Sequence, residues 1–195
     1  MVDTLDTASP KFLAYLQAVK QYSPHTLAAY QRDITAFSNF IRCDDKLSEA
    51  SLFVRHISSQ QVRQYISQLH RRGASPTTCK RKLSSLRSFF QYCLQNKYCD
   101  SNPASDVAAP KAKKLLPKAI EADQITGLMV HEPDDWLAIR DTAMLELFYS
   151  SGLRLAELHQ LNTEDVSLAN TEVRVLGKGN KTRILPIGRH AINAL

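Results

Sequence analysis

Two basic residues in the second half of the chain stand where phosphate chemistry would use them. In YSSGLRLAEL, residues 149–158, Arg154 opens a helical pattern directly after Gly152. A guanidinium at so rigid a position offers paired planar donors that match two phosphate oxygens. It would also stabilise the added charge of a five-coordinate phosphorus transition state. In GKGNK, residues 177–181, glycines flank Lys178 and permit close approach, so a mobile ammonium there would donate a proton to a departing oxygen. Neither residue decides the matter alone, since a single arginine is commonly structural and a hairpin lysine is commonly only solvated. The run is not a nucleotide-binding P-loop, because that motif needs glycine directly before its Lys-Ser/Thr pair and Asn180 precedes Lys181-Thr182.

A second set lies in the first half. At the helical period Lys80, Arg81, Ser84, Arg87, Ser88 and Gln91 share one face, opposite Leu83, Leu86, Phe90, Cys93 and Leu94. Basic and small hydroxyl groups on a helix that fits the B-DNA major groove suit phosphate and base-edge contacts. Lys82 falls beside the apolar stripe and is expected to run along a neighbouring helix rather than reach DNA. A weaker version joins His25, Ala28, Ala29, Arg32, Ala36 and Asn39, where small alanines would let a DNA backbone approach. Taken alone, each face reads more readily as ordinary solvated helix surface.

The elements that must position these residues follow from capping and periodicity. Ser9-Pro10 predicts a first helix from Pro10 to Tyr22. Ser23-Pro24 starts a second, whose stripe of Leu27, Tyr30, Ile34, Phe37 and Ile41 runs to about Arg42. Ser59 opens a third through Val62, Ile66 and Leu69, stopped by Gly73, and Ser75-Pro76 starts the fourth. Residues 9–98 therefore read as a four-helix unit. Pro103, Pro110 and Pro117 make residues 101–118 an extended linker between domains at 1–100 and 119–195. Beyond it, Glu121–Val130, Asp134–Tyr149 and Arg154–Leu161 read as helices, with Tyr149 in the core. Val173, Val175, Ile184 and Leu185 lie in two strands of a hairpin around the glycine-rich turn. The fold class expected is an all-α domain followed by a mixed α and β domain. GRHAINAL, residues 188–195, reads as a helix broken off after about two turns, and truncation is inferred from it.

The formal charge of +6 is unevenly placed: residues 1–110 carry 14 Lys and Arg against 8 Asp and Glu, whereas residues 111–195 carry 11 of each. A local basic excess suits a polyanion partner, although many ordinary domains are as basic. Cys43, Cys79, Cys93 and Cys99 lack metal-ligand or disulfide spacing and read as free thiols. Met1 to Asp6 has neither a basic nor an apolar run, and no stretch approaches a membrane span, so a cytoplasmic protein is expected.

Taken together, RDTAMLELFYSSG, GLRLAEL and GKGNKTRILPIG resemble the tyrosine recombinase family of site-specific DNA recombinases. SPHTLAAYQRDITAF and KRKLSSLRSFF are similar to helices of its SAM-like core-binding domain, and NPASDVAAPKAKKLLPKAI to its linker. Within the family the nearest resemblance is to the Xer recombinases, which resolve chromosome dimers at cell division. The resemblance implies that Arg154 clamps the scissile phosphate and Lys178 protonates the leaving 5′ oxygen. It also implies a tyrosine nucleophile, with no metal, ATP or other cofactor. The partners it implies are a double-stranded DNA recombination site, a paralogous recombinase in a heterotetramer on two sites, and a septal DNA translocase. The sequence departs from the pattern in one respect: none of the six histidines begins a His-x-x-Arg, and the terminal tyrosine region is absent. The chain alone is therefore expected to cleave nothing. The competing reading is a non-catalytic DNA-binding accessory or regulator, which would explain the basic half but not Arg154 and Lys178 at family spacing. A helical protein–protein adaptor would need apolar patches that the amphipathic stripes do not suggest.

Overall fold

The computed structural model describes residues 3–44, 52–111, 120–121, 124–125, 127, 135–177 and 181–195. The chain divides into two compact units, Met1–Leu115 and Leu116–Leu195.

The first unit is helical. α1 spans Leu5–Ala18 rather than 10–22, because Thr4 and Thr7 form a capping box that starts the helix earlier. Pro10 then lies inside the helix. Its missing N–H forfeits a single bond, and the earlier start brings Leu5 and Ala8 into line with Phe12 and Leu16 as the buried stripe. The helix also stops earlier, as the Tyr22 amide turns back to the Leu16 carbonyl at 3.1 Å. α2 covers Pro24–Asp44, with Ser23 accepting from the Thr26 amide. α3 covers Ser59–Arg71 behind a Ser58/Gln61 capping box. Gly73 ends it at φ 87°, a left-handed conformation that glycine adopts without penalty. α4 covers Pro76–Gln95, capped by Ser75. An isolated bridge between Thr4 and Phe53 ties the start of α1 to a 3-10 turn at Val54–His56.

The core of this unit is aromatic at its centre. Phe12 meets Phe89 edge-to-face at 5.5 Å between centroids, and Phe37 meets Phe90 at 6.1 Å. A charged side chain is buried close to them: Asp33 of α2 is 2 % exposed. Arg81 donates to it through both terminal nitrogens, Lys82 at 3.1 Å and Ser85 at 2.8 Å. Lys82 thus runs inward along α2. Burial pushes the Asp33 carboxyl upward, and the bonds from Arg81, Ser85 and Lys82 together outweigh it, holding the group below its ordinary 3.8.

The segment expected as linker contributes to the same core. Ala104 and Val107 are fully buried, and Asn102 donates to the Arg87 carbonyl at 3.0 Å. Arg87 in turn donates to the carbonyls of Ala104, Ser105 and Val107 at 2.6–3.3 Å. Prolines prevent these residues from satisfying one another in a helix, and the guanidinium fork supplies the donors instead.

In the second unit α5 covers Trp136–Ser151, capped by Asp135, and ends at Gly152 with φ 61°. α6, Leu155–His159, follows at once. A 3-10 turn at Thr163–Asp165 leads into β1 (Val166–Ser167), β2 (Glu172–Gly177) and β3 (Lys181–Pro186), paired antiparallel in the order β1-β2-β3. α7, Arg189–Ala194, returns against α5, where a side chain on Gly188 would stand 3.0 Å from the Ser150 Cβ. Leu147, Leu153, Val173, Val175, Ile187 and Ala191 form the core. Tyr149 is not part of it and is 61 % exposed. The helix expected at 121–130 lies largely outside the described residues. The architecture is thus a helical domain followed by a mixed unit of helices and a small antiparallel sheet.

Replacing Asp33 with Asn should lower unfolding free energy by about 3 kcal/mol near neutral pH, because Arg81 and Lys82 lose their shared counter-charge. Since the folded-state value is depressed, the contribution of the wild-type carboxylate is present above 3.8 and is lost as pH falls through the depressed value. Urea titrations of the two proteins should therefore converge in acid. A second urea titration tests the docked segment: Val107→Ala should cost about 2 kcal/mol, whereas Lys111→Ala, at an exposed position, should cost nothing measurable.

Candidate functional site

In the second unit Arg154 is the residue that caps α6, in extended conformation at φ −83° and ψ 151°. Gly152 reverses the chain just before it and Leu153 is buried, so the Arg154 backbone is fixed from both sides. Its side chain remains 62 % exposed. One turn on, Glu157 is 8 % exposed and its carboxylate gathers the site. Oε2 accepts the Arg154 backbone N–H at 2.8 Å, and Oε1 accepts from Arg154 Nη1 at 2.7 Å. Oε2 also accepts from Arg183 Nη2 on β3 at 2.7 Å. The bond from the Arg154 amide, followed by the bond from its guanidinium and the nearby charge of Arg183, holds Glu157 below the ordinary carboxylate value against the opposing effect of burial.

Lys178 lies outside the described residues. The strands on either side of it pair through Gly177 and Lys181, so the hairpin expected from the sequence is present up to its turn.

Sequence reasoning did not single out Glu157 or Arg183. Glu157 carried a legible signal, since an acidic residue three positions after a helix cap is the second half of a capping box. Arg183 carried none until the strand register was known.

In the first unit the two weaker faces come together. His25, Thr26, Ala29 and Tyr30 of α2 and Arg81, Ser84 and Ser85 of α4 line a shallow cleft of about 320 Å³. Arg81 is half-exposed at its rim while it holds Asp33. Lys80 and Arg32 are exposed, and Arg32 donates to the Ala28 carbonyl of its own helix. Arg87 commits its Nε and Nη2 to the 104–107 carbonyls. Small side chains at Ala29, Ser84 and Ser85 keep the cleft open between the basic groups.

Among the described residues no group of three His, Cys, Asp or Glu stands together as a metal site. Among them, too, no helix is long and apolar enough to cross a membrane. Cys79, Cys93 and Cys99 are buried free thiols and Cys43 is exposed.

These features coincide with what comparison with known proteins finds. Residues 10–97 match the phage integrase N-terminal SAM-like domain, and residues 118–195 match the phage integrase family. The tyrosine recombinase XerC of Xanthomonas campestris pv. campestris (strain B100) is 42 % identical over 192 residues, covering 98 % of this chain and 58 % of the relative. That of Actinobacillus pleuropneumoniae serotype 7 (strain AP76) is 44 % identical over 197 residues, covering 99 % and 61 %. The chain thus spans about three fifths of the length of the curated relatives it matches. Among solved structures, a lambda integrase dimer bound to a COC′ core site superposes with a TM-score of 0.73 at 19 % identity, over 99 % of this chain and 68 % of that one. A Tn1549 transposon integrase in complex with a circular intermediate DNA gives 0.71 at 16 % identity, over 98 % and 63 %. With an integrase match on each unit and relatives aligned along almost all of its length, the chain belongs to the phage integrase family of tyrosine recombinases.

Proposed function

We propose that the full-length protein is a site-specific recombinase that cuts and rejoins DNA strands through a 3′-phosphotyrosyl intermediate. Its proposed role is the resolution of chromosome dimers at cell division, in the cytoplasm. The observation that carries this reading is Arg154: its backbone is fixed by the Gly152 turn and its guanidinium is steadied by one oxygen of Glu157, while the side chain stays largely exposed. That leaves donors facing outward for the two non-bridging oxygens of a phosphodiester.

On this reading a tyrosine oxygen attacks phosphorus and the bond to the 5′ oxygen breaks. The phosphoryl group passes to tyrosine, and the departing alkoxide takes a proton from Lys178. Arg154 opposes the charge that builds on phosphorus. The bond energy is kept in the phosphotyrosine and is returned when a 5′ hydroxyl attacks it, so ATP is not consumed. The tyrosine is assigned to the sequence that the relatives possess and these 195 residues do not span.

Within the first unit, residues 1–100 are proposed as the DNA-binding domain, with residues 101–118, whose first part packs on that domain, leading to a catalytic part at 119–195. Lys80, Arg81, Ser84, His25 and Arg32 would meet the duplex around the cleft. Arg87 would act from behind them, by holding the 102–107 segment against α4. Names of the curated relatives favour XerC over its paralogue, and the proposed partners are accordingly a recombination site, a XerD-like recombinase in a heterotetramer on two sites, and a septal DNA translocase.

Binding to a duplex site should weaken steeply with salt. Replacing Lys80 and Arg81 with alanine should flatten the slope of log K against log salt by about two, measured by fluorescence anisotropy. An unchanged slope would remove α4 from the interface. For the chemistry, wild type should form a covalent adduct on a suicide recombination site, read by denaturing gel. Arg154→Ala should slow it by roughly 10²–10³. Lys178→Ala should be slow on normal DNA and restored on a 5′-bridging sulfur, whose thiolate departs unprotonated. A lysine variant that stays slow on sulfur would reassign Lys178 to positioning. A wild-type full-length protein that binds the site yet never forms the adduct would favour a non-catalytic DNA-binding regulator.

A further inference from the structure

Strand β3 is written the wrong way round for a strand with one buried face. Arg183 pairs with Val175 and Leu185 pairs with Val173, and residues directly opposite on antiparallel strands share a face. Val173 and Val175 are buried, so Arg183 points inward with them. Ile184, between the two, points the other way and is 61 % exposed. Alternation alone would bury the isoleucine and solvate the arginine. The inward arginine is not there to satisfy its own donors either, since its Nε is buried without an acceptor among the described residues. Among the described residues its hydrogen bond runs from Nη2 to Glu157 Oε2.

That bond decides what Arg154 can do. A carboxylate and a guanidinium left to themselves favour a two-bond fork, which would commit both Glu157 oxygens and a full edge of Arg154 to each other. Here Oε2 is already shared by Arg183 and the Arg154 amide, so the Arg154 guanidinium bonds to Oε1 alone. A second effect is charge: Glu157 with Arg154 is a neutral pair, and with Arg183 added the cluster carries one net positive charge toward an anionic phosphate.

We propose that Arg183 is a positioning residue for the phosphate clamp, occupying Glu157 Oε2 so that the Arg154 guanidinium remains available and net positive. The inference rests on the recombinase reading above. It makes β3 part of the active site through its inward face, independently of the lysine in the turn.

The test uses full-length protein at saturating concentration on a suicide site, with single-turnover cleavage and affinity for the intact site measured separately. Arg183→Ala should cut the cleavage rate by roughly 10–100-fold while affinity stays within about twofold, as expected for misplacement of a group that acts in the transition state. Arg183→Lys, which keeps the charge and reaches the carboxylate, should recover to within about fivefold of wild type. Arg183→Gln keeps most of the bulk without the charge, and should remain as slow as the alanine variant should that one fail to fold. A 5′-bridging sulfur should not rescue either neutral variant. Full rescue by sulfur would mean that Arg183 acts through Lys178 and would overturn the proposal. Neutral variants that cleave at the wild-type rate would overturn it too, as would a lysine variant as slow as alanine. If wild type itself forms no adduct, it is the recombinase reading that fails, a result distinct from each of these.

Discussion

The arrangement in the second unit depends on a single buried carboxylate. Glu157 lies near the start of a five-residue helix too short to hold its own geometry, and its position comes from what it accepts: the amide of the residue that caps that helix, one guanidinium from the cap and another from the sheet. A carboxylate removed from water must find compensation of this kind, and the most economical donors are cations on neighbouring elements. The same bonds that make its burial tolerable fix the end of α6 to strand β3. Leu147 of α5, Leu153 beyond its end and Val175 of β2 share one core, and the carboxylate ties α6 to the sheet through Arg183.

The first unit uses the same device for a different purpose. Asp33 is buried between α2 and α4 and takes donors from Arg81, Lys82 and Ser85. One negative charge again holds two positive ones, so each cluster is positive overall. The difference lies in exposure. Lys82 is drawn inward and serves the fold, whereas Arg81 keeps half of its surface at the rim of the α2–α4 cleft. The basic residues of α4 are thereby divided into those that organise the surface and those that remain on it. Arg87 belongs to the first group, because its fork holds three carbonyls of a proline-limited segment.

Much of this was legible before any coordinates were considered, and what was missed has a common cause. Caps with a local signature, Ser23, Ser58, Ser75 and the glycines at 73 and 152, set helix ends within a residue or two, because capping is decided by neighbours in sequence. The start of α1 was misplaced because Ser9-Pro10 is also a valid capping pair, and only the burial of Leu5 and Ala8 selects Thr4 over it. Two-residue β1 has no period to detect. The docking of Ala104 and Val107 was hidden because prolines exclude a helix without saying whether the extended chain is solvated or packed. Arg154 was legible because its rigidity comes from adjacent glycine and helix start. Glu157 was within reach of the same local reading, whereas Arg183 was not, because its placement depends on strand register.

Asp33 and Glu157 also bear on how such a surface would meet DNA on the proposed reading. Lysines and arginines left free would each lose side-chain entropy on contacting phosphate, up to about 2 kcal/mol for a long side chain. A guanidinium already held by a buried carboxylate has spent that entropy in folding, and the remaining loss on binding is smaller. The opposing cost is that the carboxylate cancels part of the attraction. One acid shared between two cations is the smallest cluster that keeps both advantages, since a one-to-one pair is neutral and a lone arginine is disordered. On the proposed reading, the arrangement in the first unit would serve a phosphate whose charge hardly changes on binding. In the second, on the same reading, fixed donors facing a phosphorus that gains charge would favour the transition state over the ground state, which is the condition for catalysis rather than mere binding.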